Sequence, residues 1–273
     1  MNRPDLFQGL RSLPRGLLLF GPPGTGKTLI GKAIAHQSGA TFFSISASSL
    51  MSKWIGEGEK TVRTLFEVAA YRQPSVVFID EVDSLLCQRS GEENEASRRM
   101  KTEFMVQLDG AGTSQSDRVV IVGATNRPEE LDEAVRRRFV KRIYIPLPDA
   151  ESRRQLMVTL LKSVHHNLTS TEDLNYLVEK TSGFSGADIR SLCTEAAMGP
   201  VRDVASRQYS GSGIGAGSSG SSGLYSIAAQ DLPPISKEHF DSALESVMPT
   251  VSPGDLQRYV DWNTTYGSFR RME

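Results

Sequence analysis

Gly21–Thr28 reads GPPGTGKT, and Val76–Glu81 reads VVFIDE. The first run is a phosphate cradle. Its glycines Gly21, Gly24 and Gly26 let backbone N–H groups close around phosphate oxygens, where a Cβ would obstruct them. Lys27 adds a point charge for the β- and γ-phosphates, and Thr28 offers a hydroxyl to Mg²⁺. A G-x-x-x-x-G-K-[ST] match gains weight from its surroundings. This one follows an apolar strand-like run, Gly16–Phe20, and opens a helical one, Lys27–Gln37, so it is read as an NTP-binding site and not as a Gly/Pro turn.

The second run adds an activity. Val76-Val77-Phe78-Ile79 predicts a strand buried on both faces and ending in two carboxylates, Asp80 and Glu81. Neighbouring side chains on a strand diverge, so the two carboxylates are expected to do different work. Asp80 is placed to hold Mg²⁺ opposite Thr28, and Glu81 to orient and polarise an attacking water. A strand ending in a solvated acidic turn is the plainer reading of such a pair. The phosphate loop upstream argues for hydrolysis of ATP with Mg²⁺.

These groups need a scaffold. Strand-like runs at Gly16–Phe20, Thr41–Ser46, Val76–Asp80, Val119–Ala124 and Arg142–Ile145 alternate with helical ones. That alternation predicts an α/β fold, a P-loop NTPase parallel sheet sandwiched by helices over residues 1–148. A small helical lid domain is expected over 149–249, with helices at about Glu151–Val164, Thr171–Thr181, Ala187–Gln208 and Ile235–Val247. Ser185-Gly186 reads as the cap of the third. Residues 209–226 are Gly/Ser-rich and read as a flexible loop. Residues 250–273 predict a C-terminal helix packing back on the large domain, with Leu256, Tyr259, Val260 and Trp262 on an apolar face.

With 273 residues the chain has room for a sizeable core. A formal charge of −1 gives no global basic field, so nucleic-acid binding is not expected. No long apolar span or secretory leader is legible, and the expected setting is cytoplasmic or nuclear, without membrane insertion. Cys87 and Cys193 have no metal spacing and read as idle thiols. His165-His166 reads as a pair on a solvated helix end.

GATNRP at Gly123–Pro128 puts Asn126 at the C-terminal end of the strand after the acidic one, where open α/β sheets keep their ligand crevice. At this point the chain resembles an AAA ATPase. GPPGTGKT, VVFIDE, GATNRP, AVRRRF and GFSGADI stand in that family's order, and the resemblance spans essentially all of the chain. SKWIGEGEK, SLLCQRSGEENEASRRMKTEFMVQLDG, RIYIPLP and DWNTTYG are similar to the meiotic clade of katanin, spastin, fidgetin and Vps4. HQSGATFFSISASSL and AAMGPVR point toward its fidgetin-like members.

The resemblance implies roles. Asn126 matches the sensor-1 position that helps Glu81 hold the attacking water; locally, an Asn capping a turn before Pro128 fits as well. Arg136-Arg137-Arg138, otherwise a solvated turn, matches the arginine fingers that reach a neighbouring subunit's nucleotide, with Arg137 and Arg138 favoured. Gly186 and Ala187 match a contact near adenine and ribose, and Pro22, Pro23, Thr25 and Leu29 fall within the matched nucleotide site. Lys53-Trp54-Ile55 matches the first pore loop of a hexameric ring, although an aromatic in a polar loop packs more often on its own domain. Glu92–Arg99 matches the second pore loop, with Arg98 and Arg99 facing inward, or is a solvated helix start.

The implied function is ATP-driven disassembly of a protein polymer by a homo-hexamer that threads polypeptide past Trp54. Tubulin tails in microtubule severing or a recombinase filament come first. Vps4-like ESCRT filament disassembly comes after them, disfavoured because the β-domain insertion of Vps4 relatives is missing near the Gly/Ser stretch. A non-hydrolysing nucleotide-binding scaffold is the alternative from another class, and a nucleic-acid motor a third. The family's D-D-I-A-G-L-like stretch does not precede Pro4-Asp5-Leu6-Phe7. The chain is therefore expected to be a catalytic fragment or truncated product, with nucleotide affinity and ring assembly affected.

Overall fold

A computed structural model describes residues 15–47, 58–86, 95–110, 118–168, 170–211 and 232–269. These residues form two compact units: one takes the chain up to Pro146 together with everything from Pro253 on, the other takes Leu147–Ser252.

The first unit is built on a sheet of strands β1 (Gly16–Phe20), β2 (Thr41–Ser46), β3 (Ser75–Asp80), β4 (Val119–Thr125) and β5 (Lys141–Tyr144). Its order is β2-β3-β4-β1-β5, and every pairing is parallel. Parallel strands need crossovers and faces covered by helices. The described helices of this unit are α1 (Lys27–Gln37), α2 (Gly58–Tyr71), α3 (Val82–Leu86), α4 (Glu95–Gly110) and α5 (Glu133–Arg138). Alternation divides β3, the strand next to the β2 edge, between two cores. Val76 and Phe78 pack with Leu19, Val122 and Ala124 beside Ile30 and Ile34 of α1, while Val77 and Ile79 pack with Leu18, Phe20, Phe66, Phe104 and Phe139.

Because β1, β3 and β4 are adjacent and parallel, their C-terminal ends open on one edge. Phe20 pairs with Thr125 and Ile79 with Gly123, so the segments starting at Gly21, Glu81 and Asn126 leave the sheet side by side. This is the crevice position of open α/β sheets.

The chain returns to this unit as helix α11, labelled after the helices of the second unit, over Pro253–Tyr266. Trp262 is buried against Phe20, with ring centroids 4.4 Å apart edge to face, and Tyr259 stacks with Tyr144 at 6.3 Å. The Ser268 N–H donates to the Arg142 carbonyl at 2.9 Å and Ser268 Oγ accepts from the Arg142 N–H at 2.8 Å, which ties the end of the helix to β5.

The second unit contains α6 (Ala150–Leu161), α7 (Thr171–Lys180), α8 (Gly186–Ala197), α9 (Gly199–Gly211) and α10 (Lys237–Ser246), around Met157, Leu161, Leu177, Ile189, Leu192 and Phe240. Asp149, Ser170 and Ser185 cap the first three by accepting from backbone N–H groups, and Ser185 with Asp188 completes a capping box.

Three local segments fold otherwise than expected. The single helix expected over Ala187–Gln208 is two, α8 and α9, with Met198 between them. Pro200 lacks the N–H that a continuous helix requires and is tolerated in the first turn of a new one. Ile235 does not begin a helix but pairs with His166 in an isolated parallel bridge, its N–H donating to the His165 carbonyl and its carbonyl accepting from the Asn167 N–H, both at 2.9 Å. His165-His166 is therefore an extended segment, where the expectation was a helix end. Tyr209–Gly211 complete α9, and the rest of the Gly/Ser-rich stretch lies outside the described residues.

Candidate nucleotide site

The loop after β1 is shaped by backbone that few residues adopt. Gly21 has φ 145° and Gly26, at the head of α1, φ 84°. A Cβ at Gly21 would also overlap the Ile145 carbonyl oxygen of the segment after β5. Only glycine serves there, and the result is a bare backbone cradle running into a helix N-terminus. Thr25 Oγ1 donates to the Pro22 carbonyl at 2.9 Å and braces the loop. Pro23 and Gly24 are exposed at its crest, as is Leu29 on the first turn of α1.

Lys27 is buried, and its Nζ donates to the carbonyls of Gly21 at 2.8 Å and Pro22 at 2.7 Å. Burial pulls its ammonium down to about 8, against the opposing pull of Asp80 and Asp83. Thr28 Oγ1 donates to Asp80 Oδ2 at 2.8 Å, a contact across 52 residues that puts one hydroxyl and one carboxylate side by side. Asp80 Oδ1 accepts the Glu81 N–H at 3.1 Å. Glu81 is exposed and has φ 53°, the one positive φ among the described non-glycine residues. Left-handed backbone at such a residue costs about 1–2 kcal/mol and concentrates at functional sites.

Asn126 follows β4 on the same edge. Its Oδ1 is buried with no hydrogen-bond partner among the described residues, while its main-chain carbonyl accepts from the Tyr259 hydroxyl at 2.6 Å. Thr125 Oγ1 donates to Asp83 Oδ1 at 2.6 Å and accepts the Arg127 N–H at 2.9 Å. Pro23, Asn126, Glu129, Arg258 and Tyr259 share a cleft of about 490 Å³.

The groups present suit a nucleoside triphosphate with Mg²⁺: a cradle that a Cβ would fill, a buried ammonium, an orphaned buried amide oxygen and an all-oxygen Thr28–Asp80 pair. Among the described residues no cluster of three or more acidic, His or Cys side chains could cage a metal. Mg²⁺ uses few protein carboxylates and takes its remaining ligands from phosphates and water.

The arginine triplet closes α5. Arg136 donates to the Leu131 carbonyl at 2.9 Å and lies over the Tyr266 ring at 4.8 Å. Arg138 makes a bidentate pair with Asp109, and exposed Arg137 has no hydrogen bond or ion pair among the described residues. Arg98 and Arg99 are exposed on α4, where Arg99 pairs with Glu95 at 2.6 Å. Gly186 and Ala187 open α8 of the second unit. Lys53, Trp54 and Ile55 lie outside the described residues.

Residues 17–147 match the family model described as ATPase family associated with various cellular activities, 171–212 an AAA+ lid domain, and 225–267 a Vps4 C terminal oligomerisation domain. A crystal structure of the FIGL-1 AAA domain in complex with ADP superposes with TM-score 0.86 at 50% identity, covering 98% of this chain and 83% of that one. The chain belongs to the AAA ATPase family.

Similar AAA proteins include Fidgetin-like protein 1 of Xenopus laevis, 57% identical over 99% of this chain, and of Homo sapiens, 55% over 98%. The chain spans 39% and 37% of those relatives' lengths, well under half. Spastin of Naegleria gruberi is 51% identical over 98% of this chain and 49% of its own. A structure described as the structural basis for katanin self-assembly superposes with TM-score 0.78 at 40% identity, covering 96% of this chain and 82% of that one.

Two partners in this AAA site carry no motif signal. Asp83 is legible only as an acid after the carboxylate pair, and Tyr259 only as one apolar-face residue of α11. Their roles come from contacts to Thr125 and Asn126 across 42 and 133 residues.

Proposed function

We propose that this chain hydrolyses ATP with Mg²⁺ as one subunit of a homo-hexameric ring that pulls on a polypeptide and dismantles a protein polymer, tubulin polymers first and a recombinase filament next. The carrying observation is the Thr28–Asp80 contact of 2.8 Å beside the Gly21–Thr28 cradle, with Glu81 held in strained backbone next to it.

In this reading the loop N–H groups bind the phosphates, and Lys27 exchanges its Gly21 and Pro22 carbonyls for β- and γ-phosphate oxygens. Thr28 and Asp80 hold Mg²⁺, which when bound neutralises charge on those phosphates. Glu81 accepts a proton from the attacking water, and Asn126 Oδ1 accepts a second hydrogen bond from it and fixes its orientation. Arg137 of a neighbouring copy stabilises the charge that develops on the transferred phosphoryl group, so turnover requires assembly. The match to an oligomerisation domain and the katanin self-assembly relative support a ring. The likeness to fidgetin-like proteins and spastin supports a filament substrate, and Trp54 is assigned the grip on it by resemblance.

ATP turnover per subunit measured against protein concentration, with and without polymerised tubulin, tests this reading. Specific activity should rise steeply with concentration and rise further with tubulin. Activity flat in concentration removes the assembly requirement, and no response to tubulin beside a response to a recombinase filament reassigns the substrate.

A further inference from the structure

Helix α11 reaches the hydrolytic edge of the sheet through one hydroxyl. Tyr259 donates to the Asn126 main-chain carbonyl at 2.6 Å, and both residues line the cleft that Pro23 of the phosphate loop also lines. On the other side Asn126 is gripped through Thr125, whose hydroxyl bridges Asp83 and the Arg127 N–H. A peptide held at its carbonyl and flanked by a bonded Thr125 and Arg127 has little freedom to rotate, and its Cα–Cβ direction is set with it. The Asn126 side chain is therefore aimed by groups that never touch the reacting atoms.

The Tyr259 ring is fixed in turn. It stacks with Tyr144 at 6.3 Å and 19°, Tyr144 stacks with Phe20 at 5.5 Å, and Phe20 meets Trp262 at 4.4 Å. Phe20 is the residue before Gly21, so a single aromatic row joins α11, the base of the phosphate loop and Asn126. Arg258, next to Tyr259, pairs with Glu129 at 2.6 Å and holds the helix to the turn after Asn126.

We propose that Tyr259 is a positioning residue for ATP hydrolysis, acting through its hydroxyl on the Asn126 main chain, so that α11 tunes turnover within its own subunit apart from any part it has in assembly. This rests on the assignment of Asn126 to the attacking water.

Tyr259→Phe tests it, because the ring and its stacking stay while the hydroxyl goes. At protein concentrations where specific activity no longer rises, kcat should fall about 5–10-fold, the loss of one hydrogen bond, with KM for ATP within about twofold. In an Asn126→Ala background the same substitution should cause no further loss, since there is no side chain left to aim. Amide hydrogen exchange over residues 126–130 should quicken in Tyr259→Phe, with the rest of the sheet unchanged, a readout independent of turnover. Equal losses in both backgrounds, or unaltered exchange, overturn the proposal, as does a loss that vanishes when more protein is added. If Asn126→Ala itself leaves kcat intact, the assignment of Asn126 fails and this inference with it. A drop in Asn126→Ala beside full activity in Tyr259→Phe overturns this inference alone.

Discussion

Arg138 grips Asp109 with both arms of its guanidinium, Nη2 to Oδ2 at 2.5 Å and Nε to Oδ1 at 2.8 Å, a pair made within one chain. Arg137, one residue earlier, points into solvent without a partner among the described residues. Arg137→Ala should therefore give the larger loss in kcat, at least ~10³-fold, with stability unchanged within about 0.5 kcal/mol. Mixing Arg137→Ala chains, whose nucleotide sites are intact, with Lys27→Ala chains, whose arginines are intact, should restore turnover. Mixtures no more active than their components would show that the arginine does not work across subunits.

Glu81 combines an exposed carboxylate with φ 53°. Glu81→Gln keeps the shape and removes the base, so ATP binding should persist while kcat falls ~10²–10⁴-fold. Glu81→Gly should lose as much turnover but unfold at equal or higher urea concentration, gaining up to ~1 kcal/mol from relieved backbone strain. A clear drop in the urea midpoint of Glu81→Gly would mean that the strain at this position is negligible.

Trp262 is 8% exposed and packs on Phe20 and Tyr266, yet its indole N–H has no partner among the described residues. Trp262→Ala should cost about 3–5 kcal/mol. Trp262→Phe keeps most of the packing and removes the unpaired donor, so it should cost less than about 1.5 kcal/mol. Equal costs in urea unfolding would place the stabilisation in the indole nitrogen and not in the ring contacts.

Asp188 is 6% exposed at the start of α8 and accepts from the Ser185 N–H at 2.8 Å and from the Thr250 hydroxyl. Burial pushes its carboxyl up, but the bonds from Thr250 and Ser185 together outweigh that and leave it below the ordinary 3.8. A carboxyl lowered by folding contributes stability above its unfolded value, and that contribution is lost as pH falls through the folded one. Asp188→Asn should destabilise the second unit by about 1–3 kcal/mol at neutral pH, with the gap to the unsubstituted chain closing as pH drops below 3.8. A gap that stays constant down to pH 2 would assign the cost to packing.

What the residues alone determined is local. Strands β1 and β2 and helix α1 follow from apolar runs and from the left-handed glycines between β1 and α1, because backbone preference and burial periodicity act over a few residues. The same locality puts Asp80 and Glu81 at a strand end and Ser185 at a helix start. Once the order of motifs identifies the family, a Thr28–Asp80 contact can be expected from spacing and chemistry together.

Tertiary structure decided which side chains are already engaged. Three consecutive arginines look alike in sequence, and only the packing of α5 against α4 gives Arg138 its partner Asp109. Tyr259 reads as one of several apolar-face residues, and its hydroxyl finds Asn126 only because α11 returns across β5 to the edge where β4 ends. The bridge between Ile235 and His166 was hidden for the same reason, whereas the break at Met198 was already legible in Pro200. Periodicity records how a segment folds on itself, while the partner of a single hydroxyl, carbonyl or guanidinium depends on another element, here 29 residues away for Arg138 and 133 for Tyr259.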